Sequence, residues 1–156
     1  MRRALLLVAV GVALLALVGG AALATLPSGQ ISTLITRATL GEFKAKNDGI
    51  QVKSNQGSAD VALVKIELEP GGHTGWHHHP GVGLASVASG AVTFYDEECG
   101  TTVYEAGEGF LESGDETMLV RNEGSVDAVF YVTFIVPTET TALRIDDSQP
   151  EGCNAP

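Results

Sequence analysis

The amino-acid sequence predicts an all-β protein, built as a single antiparallel β-barrel of the jelly-roll type. No segment after residue 30 shows a helical period. Short apolar runs are instead separated by turn residues about every eight to twelve positions, a spacing that is typical of sandwiches and barrels. The 19 glycines are dispersed along the chain, which favours bends and bulges over a flexible linker.

The clearest predicted strand runs from Ala59 to Leu68. Every second residue from Ala62 onwards is apolar, and Lys65 and Glu67 fall on the opposite face. This alternation is the pattern of a half-buried strand. We expect Pro70 and the two glycines after it to end the strand.

Other segments predict the rest of the barrel. Val126 to Val136 is apolar on both faces, which indicates a central or covered strand. Ile31 to Phe43 alternates loosely and predicts a strand pair broken at Gly41, followed by a polar turn from Lys44 to Gly49. The predicted organisation is therefore a barrel and a polar C-terminal tail, residues 31–137 and 138–156.

The first 24 residues differ from the rest of the chain. Arg2 and Arg3 precede an uncharged apolar run from Ala4 to Ala24, and the small residues at its end favour a signal peptide cleaved before Thr25. An uncleaved membrane anchor is the alternative, because about 20 apolar residues suffice to span a bilayer. Both alternatives keep the arginines inside. They therefore predict a secreted or extracytoplasmic protein.

Charge restricts the partners of the exported part. Without residues 1–24, the chain keeps seven basic and 19 acidic residues, a net charge of −12. Such a charge argues against nucleic acid and anionic membrane surfaces as partners, so the N-terminal segment is the only predicted membrane contact. It favours a neutral or cationic small-molecule ligand, and it leaves a homodimer open.

Two cysteines, Cys99 and Cys153, lie in the exported part. In an oxidising compartment a small, even number of cysteines predicts one disulfide, with two free thiols as the alternative. A bridge of this span would stabilise the fold by about 4 kcal/mol through the entropy of loop closure. It would also tether the C-terminal tail to the barrel.

All four histidines and the single tryptophan lie between Pro70 and Pro80. His77 and His79 are two positions apart, so on a strand their side chains leave the same face. Two imidazoles placed in this way can form part of a metal's coordination shell. The alternative is a surface loop, rich in Gly and His, without a ligand. Trp76 either lines a ligand pocket or packs in the core.

The histidine segment resembles the first motif of the cupin family, small β-barrels that carry two sequence motifs. That motif is Gly, five residues, His-x-His, three or four residues, Glu, six residues and Gly. Its positions are matched here by Gly71, His77, His79, Gly83 and Gly90. The spacing of the second family motif is matched by Gly107, Ser113, Asp115, Met118 and Asn122. The resemblance spans about Ala59 to Pro137.

The resemblance implies a degenerate metal site. Cupins that bind metal usually use three histidines and a glutamate, whereas this chain has Gly83 at the glutamate position and Met118 at the third histidine. We therefore expect a barrel that binds a small ligand or serves a structural role. His77 and His79 should point into this barrel, with Gly83 and Met118 beside them.

Two alternatives involve a metal. One is a metal-dependent oxygenase or isomerase in which His73, Glu112 or another unidentified ligand joins the histidine pair. The other is copper bound by His77, His79 and the thioether of Met118, because soft sulfur with imidazole suits Cu(I). The cofactor is accordingly unknown, with a weakly bound divalent metal or copper as the candidates.

Overall fold

The structure is a computed structural model that describes residues 23–55 and 57–155, and every regular element in those ranges is a β-strand. The predicted signal segment lies outside the described residues as far as position 22. Within the described ranges, no helix has the length and apolar character needed to cross a membrane. The strands are β1 (Ser28–Leu40), β2 (Lys44–Asn47), β3 (Ile50–Lys53), β4 (Ala59–His73), β5 (His77–His78), β6 (Val82–Ser89), β7 (Ala91–Tyr95), β8 (Thr101–Glu105), β9 (Gly109–Ser113), β10 (Leu119–Arg121), β11 (Ala128–Pro137) and β12 (Ile145–Asp146).

One antiparallel sheet of eight strands forms the barrel. Its order is β8-β7-β10-β4-β11-β6-β9, with β1 paired to β4. β4 is the central strand, because β1 and β11 pair with the same stretch of it on opposite sides, and its last residue, His73, pairs with Arg121 of β10. The all-β jelly-roll barrel predicted from the sequence is confirmed.

The main core lies on the inner faces of β4 and β11. Alternate residues of β4 are buried, as the sequence predicts, and β11 is central, with β4 on one side and β6 on the other. Burial of a large apolar side chain stabilises a fold by roughly 1.5–3 kcal/mol. The two strands contribute Ala62, Val64, Ile66, Leu68, Phe130, Val132, Phe134 and Val136 to this core.

The expected strand pair between Ile31 and Phe43 is wrong, because β1 is one continuous strand. It pairs with β4 over almost its whole length, from Ser28 opposite His73 to Leu40 opposite Ala59. This pairing joins segments far apart in the sequence, so the loose alternation of β1 gave no sign of it. Two register shifts along the pair account for that irregular alternation.

The expected turn from Lys44 to Gly49 is also wrong, because its first residues form β2. Only Asp48 and Gly49 make the loop from β2 to β3, with φ angles of 41° and 89°. Both angles are in the left-handed region that a tight hairpin loop of type I′ requires. Three of the four residues of β2 are polar and all four are exposed, which explains why they were predicted to be a turn.

Pro70 does not end β4 as expected. The register between β1 and β4 shifts between Ser28 and Gln30, opposite this stretch, so the missing N–H of the proline interrupts no regular ladder. Gly71 takes a φ of 80°, and its N–H donates to the carbonyl oxygen of Asn122 at 2.8 Å. The strand therefore continues to His73 at the start of the histidine segment.

The C-terminal tail crosses the end of the barrel that carries the histidines. β12 in this tail pairs with β5, the strand formed by His77 and His78. The tail is then tied down by the disulfide that the sequence predicted, Cys99–Cys153, whose Cα atoms are 5.3 Å apart. We call residues 138–155 the strap.

A second, smaller core includes this disulfide. Trp76, Leu119 and Cys153 are buried together, and Tyr95 and Ala155 pack against them. The structure thus places Trp76 in a core, which was one of the two alternatives for this residue. The bridge and the indole ring together fix the end of the strap to the barrel.

Candidate functional site

The histidine pair faces the interior of the barrel. His77 and His79 are each only 3% exposed, and their ring centroids are 4.8 Å apart. Both line a cavity of about 390 Å³, so their predicted inward orientation agrees with the structure. The apolar wall of the cavity includes Leu34, Val64, Ile66 and Phe134.

Backbone carbonyl groups fix the orientation of both imidazoles. Nδ1 of His77 lies 2.9 Å from the carbonyl oxygen of Gly75, and Nδ1 of His79 lies 2.6 Å from that of Leu143. A carbonyl oxygen can only accept a hydrogen bond, so each Nδ1 carries the proton. The two Nε2 atoms therefore present lone pairs that can ligate a metal or accept a hydrogen bond.

Burial keeps both rings neutral. It lowers the pKa of His77 to about 3 and that of His79 to about 4, and the positive charge of Arg144 acts in the same direction. Desolvation penalises the charged imidazolium and so favours the neutral ring. At neutral pH the two rings are therefore hydrogen-bond acceptors at Nε2.

Glu112 completes a buried polar cluster with the pair. Its side chain is 2% exposed, and its Oε2 lies 3.3 Å from Nε2 of His79. Burial raises the pKa of Glu112 to about 8, against the opposing effect of Arg144. The pair is therefore a neutral carboxylic acid beside a neutral imidazole at pH 7, and not an ion pair, despite the short distance.

Gly83 explains why Glu112 fits there. In the register of β6 against β9, Gly83 lies opposite Glu112. A Cβ atom at position 83 would come within 2.5 Å of Oε2 of Glu112 and 3.1 Å of the Phe134 ring. The carboxyl group of Glu112 thus lies where the side chain of a glutamate at position 83 would begin.

Met118 pairs with His77 in an antiparallel β-bridge. The two residues exchange backbone hydrogen bonds of 2.9 and 2.8 Å, so their side chains leave the same face of the pair. Met118 is fully buried, but it is not among the residues that line the cavity. Its predicted role as a copper ligand stays a prediction.

The donors do not form a ready coordination shell. In the described part of the chain, no group of three or more His, Cys, Asp or Glu side chains is placed to hold a metal ion. His77, His79 and Glu112 supply atoms that could ligate a metal, but the three side chains are not arranged around a common position. Metal binding by His77 and His79 therefore also stays a prediction.

Arg144 is a cavity-lining residue that the sequence did not indicate. It lies in the strap, lines the cavity, and donates from Nε to Oδ1 of Asp146 at 2.5 Å. Its Nη2 is buried and makes no hydrogen bond to any described residue. Nothing in the polar tail indicated this position for Arg144, because the path of the strap depends on the distant bridge.

The remaining histidines lie apart from this cluster. Nδ1 of His78 contacts Oδ2 of Asp147 at 2.8 Å and so fastens the strap to β5. Nδ1 of His73 accepts a hydrogen bond from the N–H of Gly75 at 3.1 Å, and His73 is not among the cavity-lining residues. Of the two substitute ligands suggested by the sequence, only Glu112 approaches the histidine pair.

Comparison with known families agrees with this architecture. The family model described as a cupin domain matches residues 64–134, the segment that contains the histidine pair, Gly83 and Glu112. This chain carries a cupin domain. A search of curated protein sequences finds no match.

Solved structures resemble this chain at low sequence identity. A protein with a double-stranded β-helix domain from Klebsiella pneumoniae is 15% identical, with 79% of this chain and 85% of that chain covered and a TM-score of 0.56. A cupin domain from Bordetella pertussis is 19% identical over 69% and 93%, with a TM-score of 0.48. An oxalate decarboxylase from Lactobacillus farciminis, in a formate complex, is 19% identical over 55% and 26%, with a TM-score of 0.49. The first of these likenesses, at 15% identity, shows the fold and not the activity.

Proposed function

We propose that this protein is an exported cupin-domain protein that binds a small molecule in the cavity of its barrel. The observation that carries the proposal is a set of buried polar atoms, on residues that line one cavity, that have no hydrogen-bond partner among the described residues. They are Oε1 of Gln30, Nε2 of His79, Oε2 of Glu112 and Nη2 of Arg144.

Unused polar groups of this kind are costly unless something pairs with them. A buried donor or acceptor without a partner costs about 1–3 kcal/mol, and such groups are few in native proteins. A ligand that pairs with several of them would recover part of this cost on binding. The cavity volume, about 390 Å³, lies within the range of small-molecule sites.

The composition of the wall supports the same function. Leu34, Val64, Ile66 and Phe134 give the cavity an apolar side, and the polar atoms are few and clustered. Small-molecule sites typically combine such walls with a few directed polar groups, which fix the orientation of the ligand. A purely structural barrel would have no need for this cluster.

Ligand binding can be tested with a cavity-filling variant and a matched control. Leu34 lines the cavity, whereas its neighbour Ile35 does not, and both side chains are about half exposed. Purified protein would be screened by NMR against a set of small acids, alcohols, amides and amines. We expect Leu34→Trp to abolish the binding of any hit, and Ile35→Trp to leave it intact. The absence of any hit, or hits insensitive to Leu34→Trp, would contradict the proposal.

A metal-dependent enzyme is the second candidate, and one observation favours it. Glu112 brings a carboxyl group to the histidine pair, close to where the family places its glutamate. Metal analysis of exported, untagged protein decides between the two. A stoichiometric metal that is lost on His77→Ala would support the enzyme, and its retention in Met118→Leu would exclude the copper set with the thioether.

A further inference from the structure

We propose that the ligand is a small carboxylate that also carries a hydroxyl group, with Arg144 of the strap as the group that holds its charge. This inference rests on the proposed function, since it requires the barrel cavity to be a binding site. It adds the class of ligand and the residue that selects it.

Arg144 is prepared to bind a carboxylate. Its Nε donates to Asp146, which orients the guanidinium group. The residue lines the cavity, and its Nη2 is buried without a hydrogen-bond partner in the described residues. Charge-assisted hydrogen bonds from a guanidinium to a carboxylate are about twice as strong as neutral ones. The side chain is about one-quarter exposed, so it lies where an anion can reach it from solvent.

The strap places this charge beside the histidines. The carbonyl oxygen of Leu143, in the peptide group that leads into Arg144, accepts the Nδ1–H of His79. The same segment therefore orients one imidazole and carries the cation. A ligand held by Arg144 would extend from the strap toward His79 and Glu112.

The rest of the cluster requires a ligand that donates. His77 and His79 present lone pairs at Nε2, because each Nδ1 proton is engaged by a carbonyl oxygen. Gln30 donates from Nε2 to Ser32 at 2.6 Å, which leaves its Oε1 as an acceptor. A carboxylate alone would meet only acceptors at these positions, whereas a hydroxyl group supplies the missing proton.

The negative net charge of the protein does not oppose this ligand class strongly. Charges separated by more than about 8 Å are largely screened at physiological ionic strength, so distant surface carboxylates contribute little inside the cavity. Glu112, the acidic residue that lines it, is in the neutral form at pH 7. The local field is set by Arg144 and its partner Asp146.

Three matched probes test the inference by calorimetry on the full exported chain. Mandelate has both the carboxylate and the hydroxyl on an apolar ring, phenylacetate lacks the hydroxyl, and mandelamide lacks the charge. We expect mandelate to bind most tightly. Arg144→Gln should weaken its binding by about 10- to 100-fold, the usual effect of losing a hydrogen bond to a charged group, and should change mandelamide binding little.

Two further variants complete the design. Lys53→Gln makes the same change in net charge on the exposed strand β3, away from the cavity, and should leave all affinities unchanged. Arg144→Lys keeps the charge but not the planar fork, so it should bind mandelate with intermediate affinity. Thermal unfolding of each variant shows whether it is folded.

The outcomes separate this inference from the function on which it rests. Mandelamide binding as tightly as mandelate, or equal mandelate affinity in the parent and Arg144→Gln, would overturn the ligand class. The proposed function would survive if that binding were still lost in Leu34→Trp. If none of the three probes binds but other compounds do, the ligand class is wrong and the binding function stands. If nothing binds, both are wrong.

Discussion

The carboxyl group beside the histidine pair comes from a different strand than the family motif predicts. The family motif places a glutamate on β6, where this chain has Gly83, and the carboxyl group comes instead from Glu112 on the neighbouring strand β9. Only glycine at position 83 leaves room for it. The two positions are therefore coupled, because a side chain at position 83 would overlap the side chain of Glu112.

This coupling predicts a compensating exchange. Gly83→Glu alone should destabilise the fold by at least the roughly 1–3 kcal/mol typical of overpacking, because its Cβ would overlap the Glu112 carboxyl group. The double variant Gly83→Glu with Glu112→Gly should recover most of that loss in urea unfolding. Gly41→Ala is the control, since a Cβ there meets no atom within 4 Å. Equal instability of the single and double variants would contradict the coupling.

The same residues make stability depend on pH in two opposing ways. The pKa of Glu112 is raised to about 8 in the fold, so the folded state binds more protons than the unfolded state between about pH 4.5 and 8, and stability falls as pH rises through that window. The pKa values of His77 and His79 are lowered to about 3 and 4. Their contribution to stability is therefore lost as pH falls below about 6.5.

Glu112→Gln should remove the alkaline part of this dependence. The amide is similar in size to the carboxyl group, and it carries no ionisation penalty. We expect the Tm of this variant, relative to that of the parent, to rise progressively from pH 5 to pH 8. The loss of stability at acid pH should be the same in both proteins, when both are measured with a chelator present. Glu42→Gln, at an exposed position, should track the parent throughout. A Tm difference that stays constant with pH would show that Glu112 ionises normally.

The sequence was sufficient for the histidine pair but not for its partners. His77 and His79 share one face of a strand by parity alone, and the burial of both agrees with it. Glu112 had a comparable signal, since it lies two residues after Phe110 on β9 and therefore shares its buried face. Its position opposite Gly83 depends on the pairing of β6 with β9, which parity cannot supply.

At the scale of elements, the strap joins the cavity to the disulfide. Residues near its start line the cavity, its middle pairs with β5, and its end is held by Cys99–Cys153 and packs with Trp76. The tether was predictable from two cysteines in a chain with a predicted export signal. The path of the strap between its ends was not predictable, because a polar segment with few apolar residues shows no hydrophobic periodicity.

Removing the bridge should loosen the strap before the barrel. The variant Cys99→Ser with Cys153→Ser should lose about 4 kcal/mol of stability. Amide exchange should accelerate mainly in residues 142–155, and mandelate affinity should fall because Arg144 is no longer held in place. Hydrogen exchange with mass spectrometry checks this, with the oxidised parent as the control. Unchanged protection of the strap would show that β12 and the His78–Asp147 contact suffice to hold it.

At the scale of the whole molecule, the strands of the barrel were the most predictable part. The strict alternation of β4 and the apolar run of β11 indicated their places, and the structure agrees. The errors fall at β1 and β2, where exposed residues weaken the alternation. In those strands the pairing partner, and not the local sequence, decides the structure.

The predicted export of the protein can also be tested on the whole molecule. Signal cleavage should occur before Thr25, and intact mass spectrometry of the exported protein should show the loss of 24 residues. The N–H of Thr25 donates to the carbonyl oxygen of Asp147 in the strap, so the new N-terminus would be held against the strap. A protein that keeps residues 1–24 and stays with the membrane fraction would favour the anchor instead.

The cavity is assembled from parts of the chain that lie on both sides of the matched cupin domain. The family match ends at residue 134, whereas Arg144 and Leu143 come from the strap, and Gln30 and Leu34 come from β1. The flanking segments therefore complete the cavity, and they carry the residue that we propose selects the ligand. Homologous barrels with different tails should recognise different molecules while retaining the histidine pair. Transplanting the strap between such proteins, with its bridge, is a route to redirecting their specificity.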